Sequence, residues 1–191
     1  MGRHEPGPST LADWRSLPRR GAARVELLDG RWLVTALPSA AHQWACGRLT
    51  GLLSAALSAA GRADLRAAHR PGVEMSAADR TALVPDFAVC DARSAKHPLA
   101  PENVLLVGEV WSPASSRRTQ WAKRSWFARA GIPFFWSVSQ DRGGPVELAT
   151  YRLVDGRYTT GSATTVGDGP VTITTSPVPV EVDLASLRVR G

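Results

Sequence analysis

Two acidic side chains lie within apolar stretches of the sequence, where a carboxylate is costly to bury. Asp86 directly follows Pro85 and precedes the apolar run 87–89, and Glu109 is flanked on both sides by the apolar residues of the segment 104–111. A buried carboxylate is unfavourable unless a partner, often a metal ion, compensates its charge. Two such acids on neighbouring strands offer the hard oxygen ligands that Mg²⁺ or Mn²⁺ takes while keeping water for chemistry. We therefore predict that Asp86 and Glu109 hold a divalent metal.

Each acidic residue also has a simpler interpretation. Asp86 could close a turn or cap a backbone amide, and Glu109 could face solvent or pair with an arginine, because glutamate is rarely buried unpaired. Glu26 lies in an apolar run before a turn, where an exposed acid on an edge strand is somewhat more expected than a site residue. His42 falls in the first turn of a predicted helix, where a histidine is usually solvated or a capping partner but is also close enough to a helix N-terminus to contact an anion.

Lys123 is the third candidate for chemistry. It is one of only two lysines, the other being Lys96, and the remaining members of the 23 basic residues are arginines. Lys123 shares a helical face with Thr119 and with the aromatic residues Trp126 and Phe127, so we expect this face to point toward the sheet. An ammonium there could stabilise charge on a transferring phosphoryl group or help to orient an attacking water. The alternative is a lysine whose stem lies on aromatic surface while its ammonium stays in water.

The elements that would position these residues follow from apolar periodicity and turn signals. In chain order the sequence predicts a helix over 11–17, a hairpin turning at Asp29-Gly30, a long helix over 39–60, strands over 72–75, 83–90 and 104–111, a helix from about 119 to 130, a strand over 134–138, a hairpin turning at Asp155-Gly156 and a β-rich segment over 171–182. A chain of 191 residues suits one domain. We expect a mobile tail over 1–10, a core over 20–140 and a β-rich extension over 141–191.

Composition narrows the classes of partner and compartment. A net charge of +6 and a pI near 10.3 permit an anionic partner, nucleic acid included, although the basic residues are dispersed and an arginine-favouring genome would account for them equally well. No stretch approaches the roughly 20 apolar residues of a membrane helix, and the first residues lack an apolar signal region. Cys46 and Cys90 have neither metal-ligand spacing nor a disulfide pattern, so we expect a cytoplasmic protein. Phosphate-binding glycine loops, HExxH and GxSxG motifs are missing from the sequence.

Several short motifs occur together in one order along the chain. They are VELLDG at 25–30, SAAH at 39–42, VPDFAV at 84–89, GEVWSPAS at 108–115 and KRSWFARAGIPFFWSV at 123–138. In this order and spacing they resemble the Uma-type restriction endonuclease family, a branch of the PD-(D/E)xK nuclease superfamily that is abundant in bacteria. The resemblance covers roughly residues 20–140.

The resemblance implies a fold and a set of roles. The fold would be α/β (α+β), a restriction-endonuclease-like mixed β-sheet core flanked by helices, with hairpins toward both termini. By position, Asp86 and Glu109 would be metal ligands and Lys123 the catalytic lysine, while Glu26 and His42 match family positions near the site. The family usually carries an aspartate four residues before the helix lysine, and this chain has Thr119 there.

These observations support one leading hypothesis and two alternatives. The first is an endonuclease that acts on DNA with Mg²⁺ or Mn²⁺. A homodimer is plausible for such an enzyme if it cuts both strands. This hypothesis predicts that Asp86→Asn or Lys123→Ala abolishes cleavage while leaving the fold intact. The second, motivated by Thr119, is a catalytically degenerate family member that binds nucleic acid or a protein partner without cleavage. The third is a soluble protein whose positive charge reflects only genome composition.

Overall fold

The computed structural model describes residues 9–17, 23–94 and 97–189. It contains three α-helices, twelve strands and two short 3-10 helices within that part of the chain. In chain order these are α1 (Leu11–Ser16), β1 (Arg24–Leu28), β2 (Arg31–Thr35), α2 (Ala40–Ala59), β3 (Leu65–His69), β4 (Val73–Ser76), β5 (Thr81–Leu83), β6 (Phe87–Asp91), a 3-10 turn (Pro101–Asn103), β7 (Val104–Trp111), α3 (Arg117–Arg129), β8 (Phe134–Asp141), β9 (Gly144–Val154), β10 (Arg157–Thr165), β11 (Val171–Ile173), β12 (Val180–Val182) and a 3-10 turn (Leu184–Leu187).

A six-stranded mixed sheet in the order β10-β9-β8-β7-β6-β3 forms the centre of the protein. β7 and β8 are parallel, and the other neighbouring pairs are antiparallel. The parallel pair needs a crossover connection, which α3 provides. All but one residue of β7 are buried, as expected for an apolar strand in the middle of a covered sheet.

The long helix α2 covers one face of the six-stranded sheet. Ser39 caps it by accepting a hydrogen bond from the His42 backbone N–H at 3.2 Å. Its residues Leu49, Leu53 and Leu57 are buried at helical spacing against that face. The β11–β12 hairpin contributes Ile173 and several buried valines to the same cluster.

Helix α3 and a second sheet cover the opposite face. This four-stranded sheet has the order β2-β1-β5-β4. Its β1–β2 hairpin turns at Asp29 and Gly30, whose φ values of 51° and 73° are those of a two-residue turn with a left-handed backbone. One buried cluster contains Leu83 of the second sheet, Phe127 of α3 and Val107 of β7. The two sheets and α3 therefore pack together, and these elements carry several of the predicted site residues.

The predicted mixed sheet flanked by helices is confirmed. Several element boundaries differ, among them the end of β8, which extends to Asp141 instead of 138. The strand expected over 83–90 is two strands in different sheets, because Pro85 has no N–H to donate to a ladder and Asp86 lies in the connection. Helix α3 begins two residues earlier than expected, since Ser116 Oγ caps it by accepting from the Thr119 N–H at 3.1 Å.

Two further expectations concern the chain as a whole. Most of the tail expected over 1–10 lies outside the described residues, and the division into core and extension remains a prediction. Within the described ranges, no helix combines the length and apolar character needed to cross a membrane.

Candidate active site

Five predicted residues converge at the floor of a cavity of about 680 Å³. β1 supplies Glu26, α2 supplies His42, the connection before β6 supplies Asp86, β7 supplies Glu109 and α3 supplies Lys123. All five are buried, and Glu109 lies fully beneath the surface of the cavity. Residues distant in sequence are therefore brought to one point by the packing of α2, α3 and the two sheets.

Lys123 joins the acids contributed by the two sheets. Its Nζ lies 2.5 Å from Glu109 Oε1 and 2.9 Å from Glu26 Oε1, and the ring centre of Trp111 is 5.9 Å away. Burial alone would disfavour the ammonium, but the charges of Glu109 and Glu26 outweigh it and raise the pKa of Lys123. Lys123 is 1% exposed, so the interpretation of a lysine with its ammonium in water is wrong.

Glu26 is completely buried. It lies on β1, which has β2 on one side and β5 on the other, so the strand is not an edge strand as the simpler interpretation assumed. Its Oε1 also accepts the Val84 backbone N–H at 2.7 Å. Glu26 therefore ties Lys123 to the connection that carries Asp86.

Both oxygens of Asp86 have donors. Oδ1 lies 2.8 Å from Arg24 Nη1 and 3.2 Å from His42 Nε2, and Oδ2 accepts the Val110 backbone N–H at 2.8 Å. Burial opposes ionisation, but the His42 hydrogen bond and the charges of Arg24 and Lys123 outweigh it and lower the pKa of Asp86 to about 2. Asp86 is consequently a carboxylate at any physiological pH.

Glu109 differs from Asp86 in its surroundings. Neither of its oxygens accepts a hydrogen bond of good geometry from the described residues, although both are within ion-pair distance of a cation. Burial raises the pKa of Glu109 to about 7 against the opposing charges of Lys123 and Arg24. A buried carboxylate with unused acceptor capacity fits a metal ligand, since such an oxygen is costly to leave unsatisfied.

Two donor sets near Asp86 could hold a metal ion. Asp86 and Glu109 both face Arg24 Nη1 and offer oxygen ligands. Asp86 also forms a group with His42 and Cys46, whose ligand atoms all lie within 4.8 Å of one another. Burial, followed by the charges of Asp86 and Glu109, raises the pKa of the Cys46 thiol, which disfavours the thiolate that binds metals. The oxygen set therefore fits a hard divalent ion better.

Sequence reasoning missed three members of the cluster. Arg24 is two residues before Glu26 and thus on the same face of β1, a signal that period-two spacing could have provided. Cys46 lies four residues after His42 on one face of α2, a pairing that linear metal motifs do not include. Gln140 places its Nε2 3.2 Å from His42 Nδ1 and so orients the ring.

Thr119 lines the same cavity but belongs to the helix cap. Its hydroxyl lies 2.8 Å from Ser116 Oγ, and its N–H donates to that same oxygen. The negative charges that offset Lys123 come instead from Glu109 and Glu26. The absence of an aspartate at position 119 therefore does not leave Lys123 without a counter-charge.

Comparisons with known proteins agree with this fold. A family model described as "Uma2: Putative restriction endonuclease" matches residues 11–185. A solved structure described as a putative nuclease belonging to DUF820, from Anabaena variabilis, superposes with a TM-score of 0.68 at 17% sequence identity, covering 94% of this chain and 97% of that one. No curated protein matches the sequence.

Proposed function

The chain belongs to the Uma2 family, and on that premise we propose that it is a divalent-metal-dependent endonuclease that hydrolyses phosphodiester bonds in DNA. The observation that carries the proposal is Glu109, a fully buried carboxylate whose oxygens accept no hydrogen bond of good geometry from the described residues and which faces the same arginine, Arg24, as Asp86. Asp86 and Glu109 would hold Mg²⁺ or Mn²⁺. When bound, such an ion activates water and neutralises charge on the scissile phosphate.

The residues of the chain prepare the site for that chemistry. Asp86 is oriented by His42 on one oxygen and by the Val110 N–H on the other, and the His42 hydrogen bond together with the charges of Arg24 and Lys123 keeps it ionised. Lys123 is held charged by Glu109 and Glu26, so it presents a fixed positive charge to an oxygen on which negative charge develops. Asp86 and Lys123 are thus held in position before substrate enters.

The cavity walls suit a phosphate backbone. Arg24, Arg70 and Arg142 are among the residues that line the cavity, and the whole chain carries a net charge of +6. Arginine contacts to phosphates supply affinity without reading sequence.

The two cysteines are free and buried, in keeping with a reducing cytoplasm.

The alternative function is a family member that binds nucleic acid or a protein without cleavage. Thr119 motivates this alternative, because it stands where the family usually has an aspartate and a threonine cannot counter the ammonium charge of Lys123. Since Glu26 and Glu109 both contact Lys123, the loss of the aspartate is a weaker reason to expect inactivity. Catalysis therefore remains the preferred proposal.

Nicking of supercoiled plasmid DNA in Mg²⁺ or Mn²⁺, with EDTA as the metal-free reference, tests the proposal. We expect Asp86→Asn to reduce nicking to background and Asp91→Asn, at the far end of β6, to leave it unchanged. Nicking by Asp86→Asn at the wild-type rate would refute the assigned site. Metal-independent DNA binding without turnover would favour the non-cleaving alternative, and parallel reactions with RNA and single-stranded DNA identify the substrate class.

A further inference from the structure

Arg24 lies between the two predicted metal ligands. Its Nη1 is 2.8 Å from Asp86 Oδ1 and 3.6 Å from Glu109 Oε2, and its Nε is 3.7 Å from Glu26 Oε2. The side chain is 13% exposed, so most of the guanidinium is enclosed by the site. One nitrogen atom thus serves both carboxylates that the proposed function gives to a metal.

A metal ion and this guanidinium would compete for the same oxygens. An ion such as Mg²⁺ binds carboxylate oxygens at about 2.0–2.1 Å, inside the volume that Nη1 now shares with Asp86 and Glu109. Two cations that close together repel strongly in a site shielded from water. Binding of the ion therefore requires Arg24 to leave.

Charge balance favours such an exchange. The described cluster holds three carboxylates, on Glu26, Asp86 and Glu109, and two permanent cations, on Arg24 and Lys123. Counted as formal charges, the cluster therefore has one negative charge in excess. Replacing the singly charged guanidinium with a divalent ion balances the cluster, and a buried site is most stable when its charges are compensated.

The cavity next to Arg24 offers space for its displaced side chain. Arg24 begins β1 and lines the cavity of about 680 Å³, together with Arg70 and Arg142. A guanidinium moved into that space meets the region where a phosphate backbone would lie, and its planar fork can bind a phosphate through two hydrogen bonds.

We propose that Arg24 is an internal substitute for the metal: it occupies the metal position in the metal-free protein and moves into the cavity, toward the substrate phosphate, when the ion binds. The inference rests on the proposed function for the identity of the ligands. In this proposal Arg24 is a positioning residue that lowers the affinity of the site for metal and competes with other cations for the two carboxylates.

Calorimetric titration with Mn²⁺ tests this exchange on wild type, Arg24→Met and Arg24→Lys. Met removes the charge but keeps an apolar stem, whereas Lys keeps the charge. We expect Arg24→Met to bind Mn²⁺ at least about tenfold more tightly than wild type, because the ion no longer has to displace a guanidinium from its ion pair with Asp86, and an ion pair of this length is worth more than one tenfold step in affinity. Arg24→Lys is expected to stay close to wild type, and equal or weaker binding by Arg24→Met would overturn the inference.

A measurement on the wild-type chain covers the case in which Arg24→Met does not fold. In protein labelled with ¹⁵N-arginine, the Nε–H resonance that is missing from Arg24→Lys belongs to Arg24. We expect saturating Mg²⁺ to shift that resonance, and an unchanged resonance at saturation would overturn the exchange.

The plasmid assay separates this inference from the proposed function. Metal-dependent nicking by wild type, with no gain in Mn²⁺ affinity in Arg24→Met, would leave the endonuclease standing and remove the role of Arg24. Tighter Mn²⁺ binding by Arg24→Met in a protein that never nicks DNA would support the exchange and remove the endonuclease. Absence of Mn²⁺ binding in both proteins would overturn both.

Discussion

Replacing Lys123 with methionine removes one of the two permanent cations from a cluster of three buried carboxylates. The sequence alone led us to expect that substitution of this lysine would spare the fold, and the structure changes that expectation. Breaking a buried ion pair by removing one partner costs about 3–5 kcal/mol, because the remaining charge is left uncompensated. In a chain of this length each kcal/mol shifts the melting temperature by about 2–4 °C. We therefore expect Lys123→Met to melt about 6–20 °C below wild type.

The loss should depend on pH, because one member of the cluster can take up a proton. Burial raises the pKa of Glu109 to about 7, above its value in the unfolded chain. The folded state therefore gains stability from the protonated carboxyl at low pH and loses it as pH rises through about 7. A neutral Glu109 needs no counter-charge, so the defect of Lys123→Met should be smaller at about pH 5.5 than at about pH 8.

Circular dichroism melts in EDTA at these two pH values provide the measurement. Arg62→Met is the matched control: its partner Asp64 is 2.8 Å away in an exposed pair, and such pairs contribute only about 0–1 kcal/mol. If Lys123→Met melted with wild type at about pH 8, the three carboxylates would not depend on the ammonium, and the reasoning would be refuted. An equal loss at both pH values would show that Glu109 does not take up the proton.

Four further substitutions test other parts of the site. In metal-free protein the free energy of unfolding from urea titrations should fall as pH rises through about 7, and Glu109→Gln, which cannot ionise, should abolish that dependence; a dependence that persists would assign it to another group. His42→Ala should slow plasmid nicking about 10–100-fold, because outer partners orient a metal ligand, and a wild-type rate would contradict this. Cys46→Ser should bind Mn²⁺ with an affinity within about twofold of wild type in calorimetry, a smaller change than the about 10–100-fold effect of losing a partner that orients a ligand. A large loss of affinity would instead assign the ion to the group of His42, Cys46 and Asp86. Gly108→Ala should destabilise the fold in thermal melts by about 1–3 kcal/mol or more, because an added Cβ would overlap the Phe87 ring; an unchanged melting temperature would show that the ring can move.

Local patterns indicated most of the elements and part of the site. The inward face of α3 followed from aromatic residues three and four positions after Lys123, and the Asp29-Gly30 turn followed from backbone preferences of those two residues. The contacts of Arg24 could not be read in the same way, because its bond to Asp86 spans 62 positions and depends on how two sheets dock. Glu26 was misjudged for a similar reason, since only the pairing of β5 with β1 removes that strand from the edge.

The junction between the two sheets has a consequence for biosynthesis. Glu26 emerges from a ribosome before Lys123, which follows it 97 positions later in the chain. Until α3 has been translated and docked, Glu26 and Glu109 have no ammonium between them, so a nascent or partly unfolded chain cannot present the proposed cutting centre. An endonuclease of the proposed kind would in this way be inert for as long as its own synthesis is incomplete.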